Sequence, residues 1–400
     1  MRSLVSLTVT LLVRILRYLD QDSLVSVSQV CTFLWKVSSD PVLWSQCLVS
    51  PRRLATGPQL TQLLSLSRYS LLATLDLAHL KSLFIDQTVI SLFLKYLRSN
   101  SKLRQLVLTN VDMSLVPAFP LSSGLTHVTT LAMSNCRLTT EQLNSILGKC
   151  CRGKYTKNVD LSFNDFTYTN HELLSSSILT LHSLNLSYTD LSSHQTETVL
   201  EAVKSSTIHS LDLSGNDLSL SKLDNIALNQ NLTSLKMSET VLDPDNISTM
   251  FTNLQLVHHL RELRMDGTAL SSVDPVLLSD AVVRVDTVHL NYCWLYCDHI
   301  EFILDAVNTD TRLRHLNLSG NHFEDVNVDL LMNALHYIDT LEMEWANLTE
   351  EHVSALVSDT EDLKPSNKIV LNHFEIIENF LDLHRKAKIH PNISLNIVRG

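Results

Sequence analysis

Glycine and proline are scarce in this chain of 400 residues, eight and nine in all, which argues against long disordered tracts. No run of eighteen apolar residues occurs anywhere, so a membrane-spanning helix is not expected. Basic charge is also short. A net charge of −11 and a pI near 5.8 disfavour nucleic acid or an anionic membrane as the main ligand, leaving a protein partner as the expected default. Catalytic signatures are missing too: there is no G-x-S-x-G, H-E-x-x-H, P-loop or paired C-x-x-C.

Seven cysteines, an odd number, suit a reducing compartment. Cys150-Cys151 and Cys293-x-x-x-Cys297 have no second pair at zinc-finger spacing and read as ordinary thiols, so neither metal nor cofactor is expected. Met1 to Leu16 has an apolar middle after Arg2. Ser3, Ser6, Thr8 and Thr10 dilute it, Arg14 interrupts it and no small-x-small cleavage site follows, so it does not read as a signal peptide. The sequons at Asn185, Asn231, Asn246, Asn317, Asn347 and Asn392 fall mostly in or beside repeat strands, where the repeat itself generates N-L-S/T. The expected location is the cytoplasm, with the nucleus as the alternative.

What the chain has in quantity is one apolar spacing used again and again. Leu313-Arg-His-Leu316-Asn-Leu318-Ser-Gly-Asn321-His-Phe323 is one copy, and others begin at Leu103, Val128, Thr156, Leu181, Ile208, Leu232, Leu260, Val285, Ile338 and Ser366, with a looser one at Leu72. The spacing alternates between about 25 and about 28 residues, a period that means a stacked solenoid. Positions four and six, such as Leu211 and Leu213, are apolar between polar neighbours and predict a short strand with one buried side. Position nine holds Asn164, Asn216 and Asn321, or Cys136, Thr189, Thr240, Thr268 and Cys293, side chains able to satisfy backbone groups where the chain turns out of the strand. Helical patterns follow, as in Glu141-Gln-Leu143-Asn-Ser-Ile146-Leu147.

The L-x-x-L-x-L-x-x-(N/C/T)-x-L pattern resembles leucine-rich repeats, and its paired lengths resemble the ribonuclease-inhibitor-like subfamily over roughly Leu72 to Phe374. That resemblance implies an α/β horseshoe with parallel strands inside and helices outside. In such a horseshoe positions two, three, five, seven and eight face the concave side. Phe163, Tyr188, Tyr292 and Trp345 at position eight, with Arg264, His289 and Glu342 beside them, are the candidate target-binding residues. His289 and His315 stand on adjacent strands, but no third ligand is specified for a metal. Val116-Pro117-Ala-Phe-Pro120 predicts an extended segment in place of a helix.

The first 48 residues predict three short helices, broken at Asp20-Gln-Asp-Ser and ended before Asp40-Pro41. Leu7, Leu12, Ile15, Leu16, Leu19, Leu24, Val30, Cys31, Trp35, Asp40, Leu43 and Trp44 follow in order the pattern of an F-box, which this segment resembles. Trp35 sits one place late, Thr8 replaces the usual proline and Thr10 the usual acid. The resemblance implies docking of a Skp-type adaptor, and through it a cullin, by Leu7, Leu12, Ile15, Leu16, Leu19, Leu24, Val30, Cys31 and Trp35. The implied whole is a non-catalytic target-recognition subunit of a ubiquitin ligase; a repeat scaffold or inhibitor with a helical cap is the alternative. Residues 49–71, with a short helix at Leu60 to Leu66, read as a linker, residues 72–374 as the repeats, and residues 375–400 as a closing cap. That cap comprises a helix at Ile376 to Leu383 and a final strand at Ile393, Leu395 and Ile397.

Overall fold

The computed structural model describes residues 7–19, 21–44, 72–78, 86–255, 259–358, 367–372 and 393–396. The linker helix, the helix at Ile376 to Leu383 and Ile397 lie outside these residues. The chain divides into two compact units, Met1–Asp190 and Leu191–Gly400.

The first unit opens with four short helices: α1 (Val9–Leu16), α2 (Gln21–Ser28), α3 (Thr32–Ser38) and α4 (Pro41–Trp44). Leu12, Leu16, Leu24, Leu34, Val37, Leu43 and Trp44 are buried among them. The Trp44 indole N–H donates to the Ser38 carbonyl at 2.6 Å, which satisfies its one polar group inside that core. Thr8 is the N-cap of α1; its side chain makes no capping bond, and its carbonyl accepts from the amides of Leu11 and Leu12. The helix therefore forms without the family's proline. Cys31 caps α3, its sulfur accepting from the Leu34 amide at 3.5 Å.

Five parallel strands follow in the same unit: β1 (Thr74–Asp76), β2 (Gln105–Val107), β3 (Thr130–Ala132), β4 (Asn158–Asp160) and β5 (Ser183–Asn185). Each pairs with the next in chain order, so that Leu75, Leu106, Leu131, Val159 and Leu184 stand in one row. These are the position-four residues of the repeat, all at most 3 % exposed, and one face of the sheet is core. Helices α5 (Gln87–Ser99), α6 (Ala118–Gly124), α7 (Thr140–Arg152) and α8 (His171–Ile178) intervene between them. A capping box starts α7, where Thr139 and Gln142 satisfy each other's backbone amides.

Helix α6 corrects the expectation of an extended segment at Pro117 to Pro120. Pro117 is its N-cap and Pro120 its third residue, positions where the missing N–H has no intrahelical partner to lose. Two prolines spaced this way start a helix rather than prevent one. At its other end Gly124 packs so tightly that an added Cβ would lie 2.7 Å from Cβ of Leu97 on α5.

The second unit continues the pattern with β6 (Ser210–Asp212), β7 (Ser234–Lys236), β8 (Glu262–Arg264), β9 (Thr287–His289), β10 (Leu313–Asn317), β11 (Ile338–Glu342), β12 (Lys368–Asn372) and β13 (Ile393–Asn396). All pair parallel in chain order, and Leu211, Leu235, Leu263, Val288, Leu316, Leu341, Ile369 and Ile393 share a row. The helices are α9 (Ser193–Lys204), α10 (Asp224–Ala227), α11 (Pro244–Leu254), α12 (Pro275–Val282), α13 (Cys297–Ala306), α14 (Val328–Ala334) and α15 (Glu350–Ser358). Each unit is thus a stack of strand, turn and helix, a leucine-rich-repeat solenoid.

Two repeat positions explain the turns. At position nine Asn321 is 1 % exposed and its side chain bonds the backbone of two repeats. Its Oδ1 accepts from the amides of Cys293 (3.1 Å) and Leu295 (3.0 Å), and its Nδ2 donates to the carbonyls of Leu290 (2.8 Å) and Leu318 (2.9 Å). Asn164 does the same for Cys136, Leu138, Met133 and Leu161. One asparagine therefore holds the turn of the repeat before it, so the copies preceding Asn164 and Asn321 need only a cysteine, Cys136 or Cys293, at that position. Position eight is left-handed in every described copy from Asn110 to Trp345, with φ between 52° and 69°. Glycine and asparagine suit that conformation; Phe163, Tyr188, Tyr292 and Trp345 hold it at a cost of about 1–2 kcal/mol each.

Candidate protein-binding surfaces

The helical segment keeps several large apolar side chains in water. Val9, Leu11, Ile15, Val30 and Trp35 are all exposed, and Tyr18 is 89 % exposed. Burial divides the nine residues assigned to adaptor docking from the sequence. Ile15, Val30, Cys31 and Trp35 lie on the surface and Leu7 and Leu19 are partly exposed. Leu12, Leu16 and Leu24 are corrected to core: at no more than 2 % exposure they have no surface to offer a partner. Val9, Leu11 and Tyr18 join the exposed set. They were missed because α1 is apolar on both of its faces, so periodicity alone does not say which face is inward.

On the second unit's sheet the outward side chains of neighbouring strands form a polar row. Glu262 on β8 accepts from Ser234 Oγ and from Arg264 Nε, each at 2.7 Å, with Lys236 Nζ at 3.8 Å. Burial alone would raise the Glu262 carboxyl, but these three groups outweigh it and hold it below its usual range. Asp266 lies in the same row and goes the other way, its carboxyl raised by burial against bonds from the Asn291 amide and Ser238. The rings of His289 and His315 stand 4.7 Å apart, tilted by 32°. His315 Nε2 is 3.2 Å from Glu342 Oε1 without the alignment of a hydrogen bond, while Glu342 Oε2 accepts from Asn317 Nδ2 at 2.7 Å. Arg264, His289 and Glu342, expected to hold a target, are therefore brought together on one face, but their polar groups already have neighbours there.

His289 is pushed down to about 4, first by burial and then by the charges of Arg264 and His315. Its imidazole stays neutral in the fold while an unfolded one would take up a proton near 6.5. Between pH 6.5 and about 4 the unfolded state thus binds more protons, and acidification through that window destabilises the fold. Asp266, with its raised carboxyl, contributes the opposite sign at the acid end of it. The urea midpoint is expected to fall from pH 7 to pH 5 by more in the native chain than in His289→Gln. Equal falls would remove His289 from the acid response.

In each unit the aromatic residues at position eight stand where the strands end. Phe163 and Tyr188 in the first unit stack at 4.7 Å with their planes 11° apart. Tyr292 in the second unit lies over Gly320 of the next repeat, where an added Cβ would come within 2.3 Å of its ring. Tyr292 is still 52 % exposed and Trp345 46 %. Sequence reasoning did not single out Trp294 and Tyr296, 60 % and 51 % exposed, nor His322, which stacks on Tyr296 at 5.3 Å. The alternation Tyr292-Cys-Trp294-Leu-Tyr296, with Cys293 and Leu295 fully buried, was the readable sign.

Burial pushes the thiols of Cys136, Cys150 and Cys293 up to about 12, far from a reactive thiolate. The described cysteines are free, and among the described residues no three His, Cys, Asp or Glu side chains gather where a metal ion could be held. No helix among them is long and apolar enough to cross a membrane.

The stacked repeats define a leucine-rich-repeat protein, and residues 9–50 match the F-box-like family model. The chain thus joins an F-box-like segment to leucine-rich repeats, the arrangement of an F-box/leucine-rich-repeat protein. Solved structures it is similar to include a leucine-rich-repeat protein of Leptospira interrogans, at 15 % identity and TM-score 0.48 over 91 % of this chain and 98 % of that one. Another is LegL7 of Legionella pneumophila, at 18 % identity and TM-score 0.38 over 75 % and 83 %. A third is the mouse RP105/MD-1 complex, at 15 % identity and TM-score 0.45 over 78 % of this chain and 57 % of that one. A search of curated proteins finds no match to the sequence.

Proposed function

We propose that this chain is the target-recognition subunit of a Skp-cullin-F-box-type ubiquitin ligase. An F-box-like segment beside leucine-rich repeats makes a protein-interaction adaptor, and the observation that supports the finer reading is the number of large apolar side chains exposed on that segment. Val9, Leu11 and Ile15 on α1, Val30 in the turn before α3 and Trp35 on α3 stay in water, while Leu12, Leu16, Leu24 and Trp44 are buried. Covering such side chains with a Skp-type adaptor contributes about 25 cal/mol per Å² of apolar area before ordering costs. The cullin is then held through the adaptor.

The repeats hold the target protein through Phe163, Tyr188, Tyr292 and Trp345, with Arg264, His289 and Glu342 setting polar complementarity. The mechanism is proximity: target lysines are kept near the charged conjugating enzyme, and no residue of this chain makes or breaks a bond. This work belongs in the cytoplasm, with the nucleus as the alternative. Purified full-length chain is expected to retain a recombinant Skp-type adaptor and, with it, a cullin on a capture column. Retention of neither would leave a repeat scaffold whose first helices serve only as a cap.

A further inference from the structure

The acidic excess of this protein is concentrated in one place. Of 42 acids and 31 bases in the chain, the stretch from Val285 to Ser358 holds thirteen acids and only Arg312 and Arg314 as bases; the remainder cancel. The whole net charge of −11 therefore belongs to three consecutive repeats. Both arginines stand where their strand begins and face carboxylates there, Arg312 that of Asp339 and Arg314 that of Asp286 at 3.9 Å. The opposite edge, where the strands end, has no lysine or arginine of its own in these repeats.

That edge is also where the rings are. Tyr292, Trp294 and Tyr296 are each at least half exposed, and the buried Cys293 and Leu295 between them keep all three from turning inward. Tyr292 and Trp294 sit at φ 56° and 60°, a conformation that bulky residues adopt only when their surroundings impose it. Gly320 under Tyr292 and His322 against Tyr296 fix the rings further. The Cys297 thiol, next in sequence, lies 3.6 Å from the Asp298 carboxylate, and burial with the carboxylates of Asp298 and Asp325 pushes it up, so two acids act on the residue that follows Tyr296.

We infer that this edge docks a basic, arginine- and lysine-bearing segment of a partner polypeptide, the exposed rings taking its cations face-on within the carboxylate field. Ring faces carry the negative part of the aromatic quadrupole, so the aromatic and acidic features select the same ligand charge and reject an acidic segment. The inference rests on the reading that the repeats hold the ligase target and names the chemistry of the segment held.

The test uses full-length protein and fluorescein-labelled nona-arginine and nona-glutamate, read by fluorescence anisotropy. Trp294→Asn and Tyr296→Thr are combined, because Asn347, itself at φ 53°, and Thr349 occupy those positions two repeats on. The turn therefore keeps its geometry and the charge does not change. Nona-arginine is expected to bind, nona-glutamate not, and the double variant to bind nona-arginine about tenfold or more weakly with an unchanged circular dichroism spectrum. Equal binding by the double variant would reduce the effect to diffuse charge and overturn the inference, as would no binding of nona-arginine by the native chain. Adaptor capture is measured on the same preparations. Retained capture with failed peptide binding sinks this inference alone, whereas lost capture by the native chain sinks the ligase reading.

Discussion

Asn321→Ala is expected to remove roughly 4 kcal/mol or more of stability, although the residue touches no proposed partner. Its side chain is the hydrogen-bond partner of two amides and three carbonyls in the turns of two repeats, all away from water. Each buried group left unpaired costs about 1–3 kcal/mol, so the loss is a large part of a typical domain's 5–15 kcal/mol. Cys293→Ala, one repeat earlier at the same position, removes only weak thiol bonds to the carbonyls of Met265 at 3.1 Å and Asn291 at 3.5 Å and is expected to cost about 1 kcal/mol. Urea unfolding of the two variants separates these cases. A loss below about 1 kcal/mol for Asn321→Ala would mean that water enters the turn and takes over these bonds. Because repeats couple mainly to their neighbours, hydrogen exchange should rise first in the turns around Leu290 to Leu295 and Leu318 to Phe323.

The same asparagine shows what the sequence made legible. Strand positions four and six, the buried ninth position and most outer helices follow from spacing, because a stacked repeat leaves no freedom in which side chains face the core. Left-handed position eight was harder to read, since Gly215, Gly267 and Gly320 alternate with large rings and look like a different kind of residue. The common factor is a backbone angle, which composition does not express. Pro117 and Pro120 were misread because proline excludes a helix only beyond its first turn. Trp294 and Tyr296 escaped notice because the strand reading stopped at position nine, while inward and outward alternation runs on through Leu295.

The first helix posed the opposite problem, too much apolar character instead of too little, and it yields the sharpest functional test. Leu11→Asp combined with Ile15→Asp is expected to abolish adaptor capture while leaving the fold intact, since both side chains are nearly half exposed on α1. Each buried leucine or isoleucine contributes about 1.5–3 kcal/mol to an interface, and a carboxylate pressed into the same site adds a desolvation penalty. Together these exceed about 3 kcal/mol, at least a hundredfold in affinity. Leu16→Asp should also abolish capture, but by placing a charge inside the core of Leu12, Leu24 and Trp44, and it will lose helical signal and expose Trp44 as it does so. Phe119→Asp, 76 % exposed on α6, is the control that should change neither. Capture that survives in Leu11→Asp/Ile15→Asp would take α1 out of the interface, whereas loss of capture with a native spectrum assigns its outward face to the adaptor.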